Sequence, residues 1–551
     1  MDKQQIVNYF IERGILVSPD FLEGDFNEEK LIELFKESNP LVLNKDLATM
    51  VKDKESVDSV NWDDFDKARV DKERGKEQRV YDTFLQLLSY AEEVESEAGL
   101  EKDSEKEAEP IGMNAVTVKE TSTREGNVVV LFNYQDKVGK KEVKDFVAHF
   151  RSRYEFLKRI LVKRTELQDS ISIGKLKGKK EGERLSIIGL VVEKRKTKNG
   201  HWMVELEDPT GRINVLFSIK NKTLLEAAED LVLDEVIGVS GSSGKDIVFS
   251  NDVYFPDIPI SHELKKAPEE GHAAFISDVQ IGSSHFLPED FLKFVKWLRG
   301  EYGDEEQREN GRKVKYLFIV GDGVEGVGIY PGQEKDLLIE DACEQYTELA
   351  RYLKMVPTDV KIIICGGNHD PLRIAEPQPL LDKKYAAALY ELPNVIMVTN
   401  PSVVNIHSSE NFQGFNILVY HGWSLIYYSD AVNSLRVKGG MDQVQLIMEF
   451  LLKKRHLCPT HTANLYVPDS RGDPLVIDRI PDVFVTGHVH RVRVSNYRNV
   501  TNINCGCWTS QSENEEKRGI VPEPAKVPVL NLMTRKVRVM NFFGGEDGRG
   551  E

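Results

Sequence analysis

The chain has 551 residues, of which 40% are hydrophobic and 30% are charged, and its formal net charge at pH 7 is −17. This length predicts several domains, and the lack of an apolar run of about 18 residues or of a signal-peptide core predicts a cytoplasmic protein without a membrane segment. Five cysteines exclude a disulfide framework, and we interpret Cys505 and Cys507, a lone C-x-C, as buried thiols.

Charge is unevenly distributed along the chain. Residues 51–110 contain 19 acidic and 10 basic residues, whereas residues 136–200 contain 19 basic and 9 acidic residues. An acidic protein as a whole repels nucleic acid, but a basic middle segment can meet phosphates. On charge alone, a solvated helix face and loops remain an equal alternative.

The first 165 residues show helical and linker patterns. Apolar residues at helical spacing predict a small helical docking domain at 1–50. Residues 51–112 are highly charged and predict a linker that is largely disordered. The connector 113–165 is predicted to contain a helix with basic residues around its apolar stripe, which consists of Phe146, Phe150, Tyr154, Leu157 and Leu161.

Residues 166–262 change to a strand pattern. Strands are predicted at 185–192, 202–206, 213–217, 236–240 and 247–249, with a helix at 224–231. Five short strands with a helix after the third resemble an OB-fold β-barrel, which commonly binds single-stranded nucleic acid. A barrel that only docks another protein is the alternative.

In residues 263–551 apolar strands alternate with helices, which predicts an α/β domain. Five of these strands end in metal-competent side chains, and α/β sheets place their ligands at such ends. The residues are Asp278, Gln280, Asp322, Asn368, His369, Asp370, His421, His488 and His490. One such residue can simply cap a helix, but the ordered series predicts a site for two divalent ions.

These strand ends resemble the calcineurin-like metallophosphoesterases, whose motifs are D-x-H, G-D, G-N-H-D/E, H-G and G-H-x-H. The segments VGDGVEGVGIYPGQEKDL, GGNHDPLRIAEPQP, KKRHLCPTHT and VPEPAKVPV are similar, more narrowly, to small subunits of archaeal family-D DNA polymerases. The resemblance implies a multidomain α/β protein with an OB-fold barrel before a calcineurin-like α/β metallophosphoesterase domain, and a small N-terminal helical domain. It also implies a nucleoid-associated 3′→5′ proofreading exonuclease that acts on the 3′ end of a DNA primer strand and pairs with a large catalytic polymerase subunit.

Residue roles follow from the same resemblance. It implies two divalent ions, Mn²⁺ or Mg²⁺, with Asp322 bridging them. The first ion would be completed by Asp278, Gln280 and His490, and the second by Asn368, His421 and His488. His369 would stabilise charge at the scissile phosphate or protonate the leaving oxygen. Asp370 would orient His369, and Glu325 would support the site from outside the metal ligands.

Residue 280 departs from the family pattern, which has His where this chain has Gln. An amide oxygen binds hard cations but is a weaker transition-metal ligand than imidazole, so we expect lower affinity at the first ion and a preference moved toward Mg²⁺. The alternative function is therefore a catalytically weak or inactive scaffold that binds the large subunit and DNA. His285 could substitute as a ligand, but an exposed loop position is favoured. The OB-like domain and the GVGIYPGQ stretch argue against another esterase, such as a protein phosphatase or break-repair nuclease.

Some further residues could contact DNA or a partner but are predicted to be structural. For His456 and His461 we favour surface or packing roles, and for Trp423 and Tyr427 a place in the core rather than stacking on a base. Residues 443–452 superficially resemble a sliding-clamp peptide, which makes the sliding clamp a candidate partner. Their aromatic spacing, however, favours an amphipathic helix.

Overall fold

The computed structural model describes residues 127–136, 139–517 and 519–544, together with a few of the first 65. The chain divides into two compact units, Met1–Met113 and Asn114–Glu551. In the first unit, strands β1 (Leu16–Val17) and β2 (Val42–Leu43) pair in parallel, which the helical prediction for 1–50 did not include. The rest of the predictions for 1–112 lies largely outside the described residues.

The second unit begins with strand β3 (Val128–Asn133) and helix α1 (Val143–Leu161). A barrel follows, formed by β4 (Arg184–Lys196), β5 (Trp202–Asp208), β6 (Gly211–Phe217), β7 (Val236–Gly244) and β8 (Ile247–Tyr254), with helix α2 (Lys222–Glu229) between the third and fourth of these strands. Their order is β4-β5-β6-β8-β7, and β7 pairs back onto β4. The predicted five-stranded barrel is therefore confirmed.

Alternation along the strands explains the barrel's core. In β5, Val204 and Leu206 are buried, whereas Glu205 and Glu207 between and after them are only half-buried, because successive side chains of a strand point to opposite faces. Closure of the barrel also removes the unpaired edges that an open sheet would expose.

Two six-stranded sheets make up the rest of the second unit. The first has the order β12-β11-β10-β9-β18-β19 and consists of β9 (His272–Ile276), β10 (Val314–Val320), β11 (Lys361–Cys365), β12 (Val395–Met397), β18 (Lys526–Asn531) and β19 (Val537–Asn541). The second has the order β16-β17-β15-β14-β13-β3 and adds β13 (Ser402–Ile406), β14 (Phe415–Val419), β15 (Val483–Thr486), β16 (Arg493–Tyr497) and β17 (Val500–Asn504). The connector thus contributes β3 to a sheet edge, which the sequence did not indicate.

Helices accompany both sheets. They are α3 (Pro288–Leu298), α4 (Glu305–Arg312), α5 (Ala342–Leu353), α6 (Lys383–Tyr390), α7 (Ser424–Ala431), α8 (Asn433–Val437), α9 (Val444–Lys454) and α10 (Glu513–Lys517). One core joins the first sheet to α3, α5 and α6, a second joins the two sheets, and a third joins the second sheet to α7, α8 and α9. The order is helices, sheet, sheet, helices, and both faces of the central strands are buried, as their apolar sequences predict.

The parallel strands bring the predicted site residues to one edge. Strands β9, β10 and β11 are neighbours and parallel in the first sheet, and β14 and β15 are neighbours and parallel in the second. Parallel neighbours end on the same side, so the polar residues that follow them lie together in each sheet.

Helix α9 contains the segment considered as a sliding-clamp ligand. Its residues Val444, Ile447 and Leu451 are fully buried in the core on the second sheet. The amphipathic-helix interpretation is confirmed, and the segment is not available to a clamp. Among the described residues, no helix combines the length and apolarity that crossing a membrane requires.

Helix α1 differs from the predicted stripe. Phe146 is 40% exposed, whereas the basic Arg153 is only 2% exposed. The reason is a buried acceptor, since Arg153 Nε donates to Asp473 Oδ2 at 2.6 Å and its NH1 group donates to the carbonyls of Asp234 and Pro459. His456 Nε2 lies 2.8 Å from the same Asp473 oxygen. This network joins α1, the barrel and the two-sheet region.

A second buried ion pair crosses the same junction. Lys454 Nζ of α9 lies 2.6 Å from Glu235 Oε2, just before β7 of the barrel, and both side chains are almost completely buried. Burial lowers the pKa of Lys454 to about 8, and the Glu235 carboxylate opposes that fall. Removing one member of such a pair leaves the other charge buried alone.

Replacement of Arg153 should therefore destabilise the second unit. We expect Arg153→Met to lower the free energy of unfolding by about 3–5 kcal/mol, because Asp473 loses its guanidinium partner in a buried position. The thermal unfolding temperature of the full chain measures this. Arg308→Met is the matched control, because Arg308 pairs with Glu305 on the exposed surface of α4, where ion pairs contribute little. Equal shifts in both variants would contradict the role given to Arg153.

Candidate metal centre

The backbone is strained at the predicted ligands. Asp278, Gln280, Asp322, His488 and His490 all have positive φ, between 50° and 70°. Residues other than glycine rarely adopt this conformation, and it persists only where the surrounding structure enforces it. Backbone bonds between the first two strand ends provide that enforcement, since Asp278 N–H donates to Gly321 O and Gln280 N–H donates to Asp322 O.

Two motif glycines are required by close approach. A Cβ at Gly321 would lie 2.3 Å from His421 Nδ1, and one at Gly367 would lie 2.2 Å from Asp322 Oδ1. Any side chain at either position would push the imidazole or the carboxylate away. The G-D and G-N-H-D motifs thus contain glycine because functional side chains pack directly against the backbone there.

Three residues from three strand ends form the centre of the cluster. The ligand atoms of Asp322, His421 and His488 all lie within 4.8 Å of one another. His421 Nε2 is 3.2 Å from Asp322 Oδ2 and 2.9 Å from Asn368 Oδ1. The other ring nitrogen of His421 lies 2.8 Å from the carbonyl of Val320, which fixes the ring with Nε2 toward the cluster.

Asp278 and His490 lie beside this group. His490 Nε2 is 3.3 Å from Asp278 Oδ1, and His490 Nδ1 is 2.8 Å from Glu515 Oε1. The other Asp278 oxygen accepts hydrogen bonds from Ser277 Oγ and from the backbone N–H of His488. Gln280 is buried in the same region, but its Oε1 accepts a hydrogen bond from Thr509 Oγ1 at 3.2 Å.

Opposite charges set the protonation states in the cluster. Burial alone would raise the pKa of Asp322, but His421 and His369 outweigh it and hold that pKa well below its usual range. Burial would lower the pKa of His421, but Asp322 outweighs it and raises the pKa to about 10. Burial and the charge of His421 lower the pKa of His488 to about 3. Asp322 is therefore a carboxylate and His488 a neutral imidazole near neutral pH.

The donor set fits divalent cations. Carboxylate, imidazole and amide oxygen together suit ions such as Mn²⁺, and the carboxylates suit Mg²⁺. Two of the buried atoms make no well-aligned hydrogen bond within the described part of the chain: His488 Nε2, and Asp278 Oδ1, whose neighbour His490 Nε2 lies 3.3 Å away. Buried polar atoms normally have partners, so these two atoms are the ones that an ion would satisfy.

His369 stands at the edge of the cluster, with 17% of its side chain exposed. Its backbone N–H donates to Asp322 Oδ1, and its Nδ1 lies 3.0 Å from the carbonyl of Glu325. A carbonyl can only accept, so Nδ1 carries a proton and Nε2 is the nitrogen left for a substrate. Burial would lower the pKa of His369, but the Asp322 and Glu325 carboxylates outweigh it and raise the pKa.

The role expected for Asp370 is wrong in its detail. Asp370 Oδ2 accepts the backbone N–H groups of Asp322 and Gly367, and its Oδ1 accepts the hydroxyl of Tyr346 at 2.6 Å. Glu325, rather than Asp370, contacts the His369 ring. The turn directs the Asp370 carboxylate beneath the loop, where two buried amides would otherwise lack an acceptor.

Two buried glutamines were missed in the sequence. Gln333 Nε2 donates to the carbonyl and to Oε1 of Glu325, and Gln345 Oε1 accepts the N–H of Gly326. They hold the loop whose Glu325 contacts His369. Gln333 lies within the family-specific GVGIYPGQ stretch, but no local pattern indicates Gln345 or Glu515, because their contacts come from distant parts of the chain.

The remaining candidate cysteines and histidines lie outside the cluster. Cys505 and Cys507 are buried free thiols, as predicted. His456 is buried against Asp473, and the exposed His461 lies 2.6 Å from Asp234, so both have packing or surface roles. His285 is half-buried rather than exposed, within 3.4 Å of Ser510 Oγ, and lies outside the cluster.

Protein-family models match both main regions of the chain. One, which describes the B subunits of DNA polymerases alpha and epsilon, matches residues 274–493, which hold the cluster. Another, described as an OB-fold nucleic acid binding domain, matches residues 185–252, which form the barrel. The chain is thus similar to B subunits of DNA polymerases over the region of the cluster and to OB-fold nucleic acid binding domains over the barrel.

Curated relatives identify the family. The DNA polymerase II small subunit of Methanothermobacter thermautotrophicus is 44% identical over 397 residues, which are 72% of this chain and 79% of the relative. Those of Halobacterium salinarum and Pyrococcus furiosus are each 38% identical, over 73% and 75% of this chain and 76% and 66% of the relatives. The chain belongs to the family of DNA polymerase II small subunits. An asparaginyl-tRNA synthetase structure from Pyrococcus horikoshii matches 15% of this chain and 21% of its own at 16% identity, and its TM-score of 0.14 supports no conclusion.

Because the Asp370 carboxylate accepts three hydrogen bonds, we expect replacement by Ala and replacement by Asn to differ in their effect on stability. Asp370→Ala leaves two backbone N–H groups and a tyrosine hydroxyl without an acceptor, and we expect a loss of about 3 kcal/mol or more. Asp370→Asn should cost much less, because its oxygen can accept both N–H groups while its NH₂ group donates to Tyr346. Thermal unfolding of both variants measures the difference. Similar losses would show that the negative charge, rather than the acceptor oxygens, is what matters.

Proposed function

We propose that this chain is the 3′→5′ proofreading exonuclease subunit of a two-subunit DNA polymerase, and that it hydrolyses phosphodiester bonds with two divalent ions, Mn²⁺ or Mg²⁺. The observation that carries the proposal is the buried cluster of Asp322, His421 and His488 beside the Asp278–His490 pair. The order of helices and sheets, with these residues at the strand ends, supports a calcineurin-like metallophosphoesterase fold for residues 263–551.

The ions are assigned to the side chains that already converge. We assign the bridging role to Asp322, because its Oδ2 contacts His421 while its charge also acts on Asp278. The second ion would be completed by Asn368, His421 and His488, and the first by Asp278, Gln280 and His490. Such ions supply neutralisation of phosphate charge and acidification of water.

His369 would act on the phosphate from the exposed side of the cluster. Its Nδ1–H is held by the Glu325 carbonyl, so Nε2 is the nitrogen that would face the substrate. Nε2–H can then donate to a non-bridging phosphate oxygen as charge develops, or give its proton to the leaving 3′-oxygen. The backbone N–H bond to Asp322 keeps the ring next to the ions.

Partners and substrate follow from the family. The relatives are small subunits by name, which supports pairing with a large catalytic subunit. The OB-fold model over the barrel supports contact with nucleic acid, and OB folds bind single strands through stacking and backbone charge. The buried Lys454–Glu235 pair and Arg153, which donates to both Asp473 and the carbonyl of Asp234, join the barrel to the two-sheet region. A strand bound on the barrel would therefore keep a fixed position relative to the cluster.

One observation favours the scaffold alternative. Gln280 Oε1 already accepts a hydrogen bond from Thr509. The amide oxygen, which is the weakest transition-metal ligand of the proposed set, is therefore already engaged within the protein. In that case the chain would hold the large subunit and DNA with little hydrolysis.

Exonuclease activity is the first test of the proposal. With Mn²⁺, the purified chain together with its large subunit should shorten a single-stranded or mismatched 3′ end, and Asp322→Ala or His369→Ala should reduce the rate at least about a hundredfold. Gel analysis of 5′-labelled strands measures both the rate and the polarity. His461→Ala is the control, because His461 lies on the barrel side, bound to Asp234. A wild-type complex that leaves the strand intact with several divalent ions would contradict the exonuclease and favour the scaffold.

Residue 280 allows a sharper test. We expect Gln280→His to raise Mn²⁺ affinity at the first ion by roughly tenfold, since imidazole is the better transition-metal ligand, and to raise the hydrolysis rate at limiting Mn²⁺. Calorimetric titration of Mn²⁺ into chelator-treated protein measures the affinity without depending on activity. Gln168→His, an exposed replacement before the barrel, should change neither. Unchanged Mn²⁺ binding in Gln280→His would remove residue 280 from the proposed ligand set.

A further inference from the structure

Trp423 lies directly beside the cluster. It follows His421 and Gly422 and occupies the N-cap of α7, and its ring centroid is 5.2 Å from that of His488 at an interplanar angle of 35°. The side chain is half-buried. The ring therefore contacts a proposed metal ligand on one side and keeps part of its surface open.

The helix directs this ring away from the core. Leu425 and Tyr428 of α7 are fully buried in the core on the second sheet, and Tyr427 packs against its edge. Trp423 is not a member of the cores formed by the described residues. It shares a helix face with Ile426, three positions later, and Ile426 is 39% exposed. The core position favoured for Trp423 from the sequence is therefore wrong.

A half-open indole beside a phosphate-binding centre has a specific use. Aromatic rings bind nucleobases by stacking, and this contact tolerates any sequence because every base has a π face. A strand whose phosphate lies at the cluster carries its base a short distance away, and the Trp423 ring lies comparably close to the cluster because it contacts His488. A paired base cannot reach such a surface without leaving its stack.

We propose that Trp423, flanked by Ile426, is a stacking platform for one of the two 3′-terminal bases of a DNA strand, so that unpaired ends are bound in preference to paired ones. The proposal rests on the proposed function, because it takes the cluster as the place where the scissile phosphate binds. It assigns Trp423 a substrate-binding role that the metal ligands and His369 do not provide. Shielding His488 from water is the competing role for the ring.

The test is a double-mutant cycle that combines replacement of the Trp423 indole with removal of one base from the DNA strand. Binding is measured by fluorescence anisotropy of 5′-labelled single strands with Mn²⁺, in the His369→Ala protein so that the strands stay intact. The strands are an unmodified one, two with an abasic residue at the last or penultimate position, and one with an abasic residue ten nucleotides inside. The proteins carry Trp423, Trp423→Phe or Trp423→Leu.

The two roles give different results. A platform predicts that Trp423→Leu weakens binding of the unmodified and internally abasic strands about tenfold, that Trp423→Phe weakens it less, and that one end-abasic strand binds all three proteins alike. Shielding predicts instead a change in Mn²⁺ affinity in Trp423→Leu and equal losses for every strand, which would overturn the platform. If none of the strands binds the protein that carries Trp423, the proposed function is contradicted as well. If Trp423→Leu weakens binding of every strand equally while the wild-type complex still hydrolyses DNA, only the platform is contradicted.

Discussion

Two carboxylates, those of Asp278 and Asp322, are buried beside each other. Burial and the charge of Asp322 act to raise the pKa of Asp278, but His490 and His421 outweigh them and lower it. Burying like charges is costly, and it is sustained only where positive charge or hydrogen-bond donors compensate. Here the compensation comes from His421, His369 and His490, and from backbone N–H groups that donate to both carboxylates. The positive φ angles, the motif glycines and the convergence of the strand ends all serve to keep these groups together. A divalent cation would satisfy the same requirement more completely than histidine protons do.

The proposed site combines metal ligands on a rigid pair of sheets with a catalytic histidine on a separately supported loop. The ligands follow buried strands of two sheets, whose positions are set by large apolar cores. His369, by contrast, depends on Glu325, and Glu325 depends on the buried side chain of Gln333. The backbone carbonyl of Glu325 fixes the proton on His369 Nδ1, and the uncharged amide of Gln333 holds the Glu325 carboxylate beside the ring. The ligands and the proton donor therefore have structurally distinct supports.

The sequence indicated the parts of this structure that depend on local pattern. Strands β9, β10, β11, β14 and β15 are continuous apolar runs, and the barrel strands alternate, so both could be predicted. Strand β3 could not, because it gains its role only by pairing with β13, some 270 residues further along. Arg153 was placed outside the helix stripe because it is basic, and only Asp473, far along the chain, makes its burial favourable. Asp370 was expected to contact its neighbour His369, but the direction of the turn decides otherwise. For β3 and Arg153 the missing information was a long-range contact, and for Asp370 it was the direction of a turn.

Gln280 affects the two proposed ions unequally. The second ion's ligands do not include residue 280; they are Asp322, Asn368, His421 and His488. The contacts among these four side chains form without Gln280. Weakening the first ion would therefore lower hydrolysis while leaving charge at the centre to hold a phosphate. A chain with reduced activity would still bind a DNA end at this place, and the scaffold alternative differs from the exonuclease in rate rather than in the position of the strand. Arg153 and Lys454 fix the junction of the barrel with the two-sheet region. This junction would serve both alternatives equally, because it holds the barrel in a fixed position relative to the cluster.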